Sequence, residues 1–226
     1  QGIEFAEANT PPDVVMKTHL YSFLSGYFEI QGYDEEALRI MEMAVQSVES
    51  SNVFETSHLA MTYRDYGASL NKNGFHDEAL AYYNKSEKLL RATDEVELLS
   101  YTLNGKAVVL ENLGRYEEAV KNYKLSFETL EGFEAVVPRD LGMFHANIVH
   151  SLIALDRLDE ALFHGQKAVE IFAVGDMGHP WHMNVLSDLA KVHDKLGNFD
   201  NAKNIHLTAT DLFTNRYFSK RASDID

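Results

Sequence analysis

Apolar residues recur along most of the chain with the three-to-four spacing of a helix rather than the two-residue alternation of a strand. Val15, Leu20, Phe23, Leu24 and Phe28 form one such stripe, and Leu38, Met41, Ala44, Val45 and Val48 form the next. The stripes predict helices over residues 13–30, 34–50, 55–72, 77–91, 93–113, 117–130, 139–155, 159–173, 181–196 and from 200 to 217 or beyond. Thr93-Asp94 is expected to cap the fifth of these. Tyr82 and Tyr83 are expected to pack on a neighbouring helix as core aromatics.

The breaks carry a repeated phrase. Gly114-Arg115-Tyr116-Glu117-Glu118-Ala119-Val120 ends one helix and starts another. Glycine reaches the left-handed conformation cheaply, and the glutamates suit the positive end of the following helix. Gly32 to Leu38, Gly74 to Leu80, Asp156 to Leu162 and Gly197 to Lys203 repeat the phrase. The aligned alanines, Ala37, Ala79, Ala119, Ala161 and Ala202, stand 42, 40, 42 and 41 residues apart. Seven residues after each comes Ala44, Ser86, Ser126, Ala168 or Ala209. Two small residues on one helix face let helix backbones approach closely. A near-constant period of this size predicts a helical repeat.

These residues resemble the tetratricopeptide repeat in a longer form of about 40–42 residues. The family's other small position, twelve residues before the alanine, is Ser25, Gly67, Ala107, Val149 or Ala190, with Val149 the misfit. Asp156 departs from the turn glycine, Tyr33 and Phe75 stand one place early, and the closing proline is absent. Gly178-His179-Pro180 is similar to the entry of long repeats of the kinesin light chain type. The resemblance implies an all-α right-handed superhelix of about five helix pairs over residues 13–215. The repeats fall at about 13–52, 53–93, 94–134, 138–175 and 180–215, after a lead-in of residues 1–12. Residues 131–138 are either a plain connector or a loop over the groove.

Composition narrows the partners. A net charge of −15 argues against nucleic acid and against an anionic membrane surface. There is no cysteine, which excludes a disulfide framework and thiol catalysis. No apolar run is long enough to span a bilayer, and no signal peptide is evident, so the cytoplasm is the expected compartment.

Candidate chemistry is sparse. No phosphate-binding loop, nucleophile elbow or His-Glu-x-x-His motif occurs. His145 and His150 are five residues apart, off a common helix face, and His179 and His182 straddle Pro180 without a third ligand. The adjacent acids Glu117-Glu118 point apart on a helix. The reading is therefore no metal, no cofactor and no catalytic residue.

The resemblance implies that the first helix of each pair lines an inner, concave face. Counting back from the anchor alanines selects His19 and Ser22, Met61 and Arg64, Tyr101 and Asn104, Met143 and Ala146, Asn184 and Ser187. His150 and Lys191 come a turn later, with Asn147 one step over. Peptide-binding members use inner-face asparagines on the ligand backbone, so Asn104, Asn147 and Asn184 are expected to do the same. Arg64 and Lys191 are candidates for holding a carboxylate or phosphate, though the two-carboxylate clamp pattern is missing. Tyr101, Met61 and Met143 would form an apolar floor.

The expected function is that of a regulatory module whose groove receives a protein or peptide. The alternative is a constitutive scaffold using the convex face or the terminal helix. In that helix Leu212, Phe213, Tyr217 and Phe218 are expected to fold back as a cap or to form a homodimer or interdomain contact. Residues 216–226 read as a helical extension, and Ala222-Ser223-Asp224-Ile225-Asp226 is similar to the junction that leads into bacterial diguanylate cyclase (GGDEF) domains.

Overall fold

The computed structural model describes residues 14–51, 55–130, 138–175 and 180–223, without the side chains of residues 175, 180, 181 and 215–223. Among the described residues the chain is all helix, with no strand. The helices are α1 Val14–Ile30, α2 Asp34–Glu49, α3 Thr56–Lys72, α4 His76–Leu90, α5 Val96–Asn112, α6 Tyr116–Leu130, α7 Pro138–Ala154, α8 Leu158–Gly175, α9 Pro180–Lys195 and α10 Phe199–Ser223. The lead-in of residues 1–12, the expected helix start at residue 13, most of the 131–138 connector and most of the Gly178-His179-Pro180 entry lie outside the described residues.

The repeated turns share one geometry. Gly32, Gly74, Gly114 and Gly197 have φ between 71° and 83°, and Asp156 stands in the same region at 57°. After each, a backbone N–H reaches back five residues: Tyr33 to Phe28, Phe75 to Leu70, Arg115 to Leu110, Arg157 to Leu152 and Asn198 to His193, at 2.8–3.0 Å. This is the Schellman closure, which satisfies carbonyls the helix end leaves open. Asp156 keeps the turn because a short polar side chain tolerates the left-handed region better than most.

Two compact units divide the chain, residues 1–115 with 128–130, and residues 116–127 with 131–226. In the first, α1 packs on α2, α3 on α4, α2 on α3 and α4 on α5, while α3 also meets α1 and α5. Anchors Ala37 and Ala79 are fully buried, as is Ser86. The small polar positions also bond across helices: the Ser25 hydroxyl donates to the Ala37 carbonyl at 3.0 Å, and Ser86 to the Ala60 carbonyl at 2.7 Å. One apolar cluster joins Tyr21 to Ile40, Met41 and Ala44, and another joins Val45 and Val48 to Leu59 and Tyr63. Each such side chain contributes about 1.5–3 kcal/mol on burial. Tyr82 meets the Tyr63 and Tyr66 rings, and Tyr83 lies buried between α3 and α5, as expected of core aromatics.

In the second unit α7 packs on α8, α8 and α7 on α9, and α9 on α10. Its core holds Phe144, Ile148, Val149 and Leu152 of α7, Ala161, Ala168 and Phe172 of α8, and Val185, Leu186, Leu189 and Ala190 of α9. Val149, the misfit among small residues, is fully buried there. Close approach at α8 is secured by Gly165, where a Cβ would stand 2.5 Å from the Leu189 side chain.

One expectation needs correction. Thr93-Asp94 does not cap α5, which starts at Val96 after an N-cap Glu95 without a side-chain capping bond. The Thr93 hydroxyl donates to the Leu90 carbonyl at 2.9 Å, closing the preceding helix, and accepts from the Glu95 N–H at 3.4 Å. The last helix, α10, runs unbroken to Ser223, in keeping with the predicted helix from 200 to 217 or beyond, with Leu212 half-buried and Phe213 56% exposed. Ala209, the last small position, is only half-buried because no described helix follows α10.

Candidate functional site

Three first-of-pair helices of the first unit line an open cavity of about 450 Å³ on the surface. Val15 and His19 come from α1. Ser57, His58, Met61 and Arg64 come from α3, with Glu55 at its start. Glu97, Leu98 and Tyr101 come from α5, with Glu95 at its start. These side chains converge because residues a helical turn apart project on one face of each helix. Val15, Met61, Leu98 and Tyr101 supply apolar wall. The three glutamates make no ion pair among the described residues.

Its two histidines are held by their neighbours. His58 is buried, and its Nε2 makes a short hydrogen bond with the Thr18 hydroxyl. His19 stands edge-on to the His58 ring at 5.0 Å. Arg64 is already engaged: its Nε and one terminal nitrogen both donate to the same carboxylate oxygen of Asp65, at 2.9 and 2.7 Å. That pairing cancels the one cationic wall and leaves Glu55, Glu95 and Glu97 to set the sign of the cavity.

Of the residues singled out in the sequence, Arg64 and Tyr101 meet here, together with His19 and Met61. Asn104 lies on α5 one turn beyond Tyr101 but is only 4% exposed, inside the packing. The second unit holds the others. Asn147 is half-buried, while Asn184, His150 and Lys191 are exposed. Lys191 donates to Asp188 three residues earlier at 2.7 Å, and His150 lies 6.4 Å from the Tyr116 ring.

Residue patterns along the chain did not show the histidine pair of the second unit. His145 of α7 and His164 of α8 hydrogen-bond through their Nδ1 atoms at 2.9 Å. Both rings lie against Phe127, at 4.7 and 5.5 Å. Burial lowers both side chains to about 4 from the usual 6.5, helped by His164 and Lys167 at His145 and by Lys124 at His164. Glu160 acts in the opposite direction on His164. The partners are nineteen residues apart on different helices, so spacing within one helix cannot reveal them. Among the described residues no three His, Cys, Asp or Glu side chains are grouped to hold a metal ion, and no helix is long and apolar enough to cross a membrane.

Comparison with known proteins agrees with the helical fold. The tetratricopeptide repeat family matches residues 58–132. No curated protein matches the chain. Among solved structures, BtubC (BKLC) from P. vanneervenii is similar with a TM-score of 0.78 and 16% identity, over 96% of this chain and 87% of that one. A kinesin light chain protein from Podosopora anserina with nearly identical TPR-like repeats gives a TM-score of 0.72 at 14% identity, over 89% and 97%. The apo form of RapI gives 0.71 at 19%, covering 93% of this chain but only 57% of RapI. At these identities the likeness shows the fold, and the fold is all-α, of the TPR-like solenoid class.

Proposed function

We propose that the chain is a non-catalytic regulatory module that binds an extended segment of a partner protein in the cavity on α1, α3 and α5. The observation that carries this reading is the cavity itself, about 450 Å³ in volume, lined by apolar side chains and by three exposed glutamates. Its size falls in the range of ligand-binding clefts. Helical repeats of this class are suited to protein–protein interaction. Tyr101, Met61 and Leu98 would take an apolar side chain, and Glu55, Glu95 and Glu97 would favour a basic residue beside it. Arg64, spent on Asp65, orders the wall rather than capturing an anion.

The similarity of residues 222–226 to the segment preceding diguanylate cyclase domains supports a place in a bacterial signalling protein, with the repeat domain over residues 13–215 as its sensing part. Reading the gene beyond the codon for Asp226 tests that part of the proposal, and a stop codon there would remove it. The binding reading is tested with two labelled peptides, one alternating lysine and leucine, the other glutamate and leucine, by fluorescence anisotropy. The lysine peptide should bind, and Glu97→Lys with Tyr101→Ala should weaken it at least tenfold. Equal binding of the two peptides would refute the reading. So would an equal loss with Glu117→Lys, an exposed position of the second unit, because bulk charge alone would then explain the affinity.

A further inference from the structure

The outer face of α1 carries a second surface. Its inner face is accounted for: Thr18, Tyr21 and Ser25 are buried, and Leu24 and Phe28 pack against the core. On the other side Met16, Leu20, Phe23, Tyr27 and Ile30 follow one another at intervals of four, three, four and three residues. That is the spacing of a seam between paired helices. Leu20 is half-buried and the other four are largely open to solvent: Phe23 is 75% exposed, Ile30 83%, Met16 57% and Tyr27 54%. Single exposed apolar residues are ordinary, but a row of four on one helix face is a contiguous patch, and patches of this kind mark interaction sites.

We infer that the α1 seam is a homodimer contact, in which α1 of one chain packs against α1 of a second copy. Three observations select that occupant. The seam has a paired-helix spacing on a single helix, so a twofold axis across α1 sets the same residues against themselves, as an isologous interface requires. The whole chain carries −15, which opposes self-association, yet the charged residues of α1 are one lysine and one glutamate, Lys17 and Glu29, so two copies meeting there set no net like charge against each other. The exposed part of the four large side chains is on the order of 500 Å² per copy, judged from the 150–250 Å² that an aromatic residue buries. Two copies would cover roughly 1,000 Å², the lower bound for a specific interface. The dimer is accordingly weak and concentration-dependent, and the cavity wall supplied by Val15 and His19 belongs to the same helix.

The test is sedimentation equilibrium on the full chain over a wide concentration range, up to the millimolar. The wild type should rise from 25.6 kDa toward twice that mass. Phe23→Glu and Ile30→Glu, at exposed positions, should each weaken the association at least tenfold while leaving helical circular dichroism and the melting temperature unchanged. Phe213→Glu on α10 should leave it intact. The inference fails if the wild type stays at one-chain mass throughout, or if Phe23→Glu has no effect. It fails equally if Phe213→Glu abolishes the dimer, since the contact would then run through α10. A wild type that is monomeric but dimerises once residues 1–13 are deleted would also overturn it, by assigning the seam to that segment. None of these outcomes bears on peptide binding at the cavity.

Discussion

The hydroxyl oxygen of Tyr83 occupies the space a methyl group on Gly105 would need: a Cβ at that glycine would stand 2.5 Å from it. The same ring presses on the other side against Gly67, where a Cβ would come within 2.9 Å. One aromatic side chain thus sets the approach of α4 to both α3 and α5. Glycine in a helix interior costs about 1 kcal/mol relative to alanine, so each is retained against propensity for the room it leaves.

Gly105→Ala should therefore destabilise the fold by about 1–3 kcal/mol despite the better helix propensity of alanine, because the buried ring has nowhere to move. Urea denaturation measures this. Tyr83→Phe removes the nearest atom and should recover part of the loss, giving a coupling of about 0.5–3 kcal/mol between the two positions in a double-mutant cycle. A wild-type-like Gly105→Ala would show that the ring is free to withdraw.

The His145–His164 pair makes stability depend on pH. Both histidines take up a proton less readily when folded, near 4 rather than 6.5. The unfolded chain then binds more protons across that window, so stability from this pair is full above about pH 6.5 and is lost as pH falls from 6.5 toward 4. Charging both rings would also set two cations at hydrogen-bond distance on one phenylalanine, with Lys167 and Lys124 nearby and Glu160 the one offsetting carboxylate. Replacing His164 by glutamine should flatten the melting temperature between pH 7 and pH 5 relative to wild type. An unchanged slope would mean the rings part without cost.

Asn104→Ala should affect folding before it affects binding. The side chain is 4% exposed, and its polar group is buried. Truncation leaves a void in packed surroundings, which costs about 1–3 kcal/mol. Exposed Asn184→Ala, measured alongside by thermal melting, should change stability by less than about 0.5 kcal/mol. Equal effects at both positions would contradict the burial difference.

The two carboxylate networks should differ in weight. Glu87 of α4 accepts from Lys106 of α5 at 2.7 Å and from two nitrogens of Arg91, with the Glu87 and Lys106 side chains only 14% and 17% exposed. Lys106 and Arg91 hold its carboxyl below the usual range against the opposing effect of burial. Glu160 makes similar bonds to Arg157 and Lys124 but in the open, with side chains 31–42% exposed. Glu87→Gln should cost about 1–3 kcal/mol, and Glu160→Gln less than about 1 kcal/mol, because solvent screens the second set. Denaturation of both variants in low and high salt checks this, with the salt effect confined to Glu160.

The hairpins were legible in the sequence because their causes are local. A left-handed residue ends a helix, acids begin the next, and small residues recur at helical spacing. All of these act within one or two turns, and the five turns at Gly32, Gly74, Gly114, Asp156 and Gly197 close as their neighbours dictate. The candidate site was legible only in part. Counting along the repeats brought His19, Met61, Arg64 and Tyr101 to one wall. It gave no sign that Asp65 occupies Arg64 or that Asn104 turns into the core.

Sequence alone determined the helical class, the repeat length and the small residues buried between helices, Ala209 of the last helix excepted, since periodicity and turn chemistry are properties of neighbouring residues. The tertiary structure decided the rest: Tyr83 against Gly105, His145 against His164, the acidic lining of the cavity and the bare seam of α1. The first three join residues of separate helices and the fourth is the face of α1 that its neighbours leave uncovered, and both depend on the rotation of one helix about its axis relative to another. Packing fixes such rotations by filling space, and no stretch of chain shorter than the packed unit contains that information.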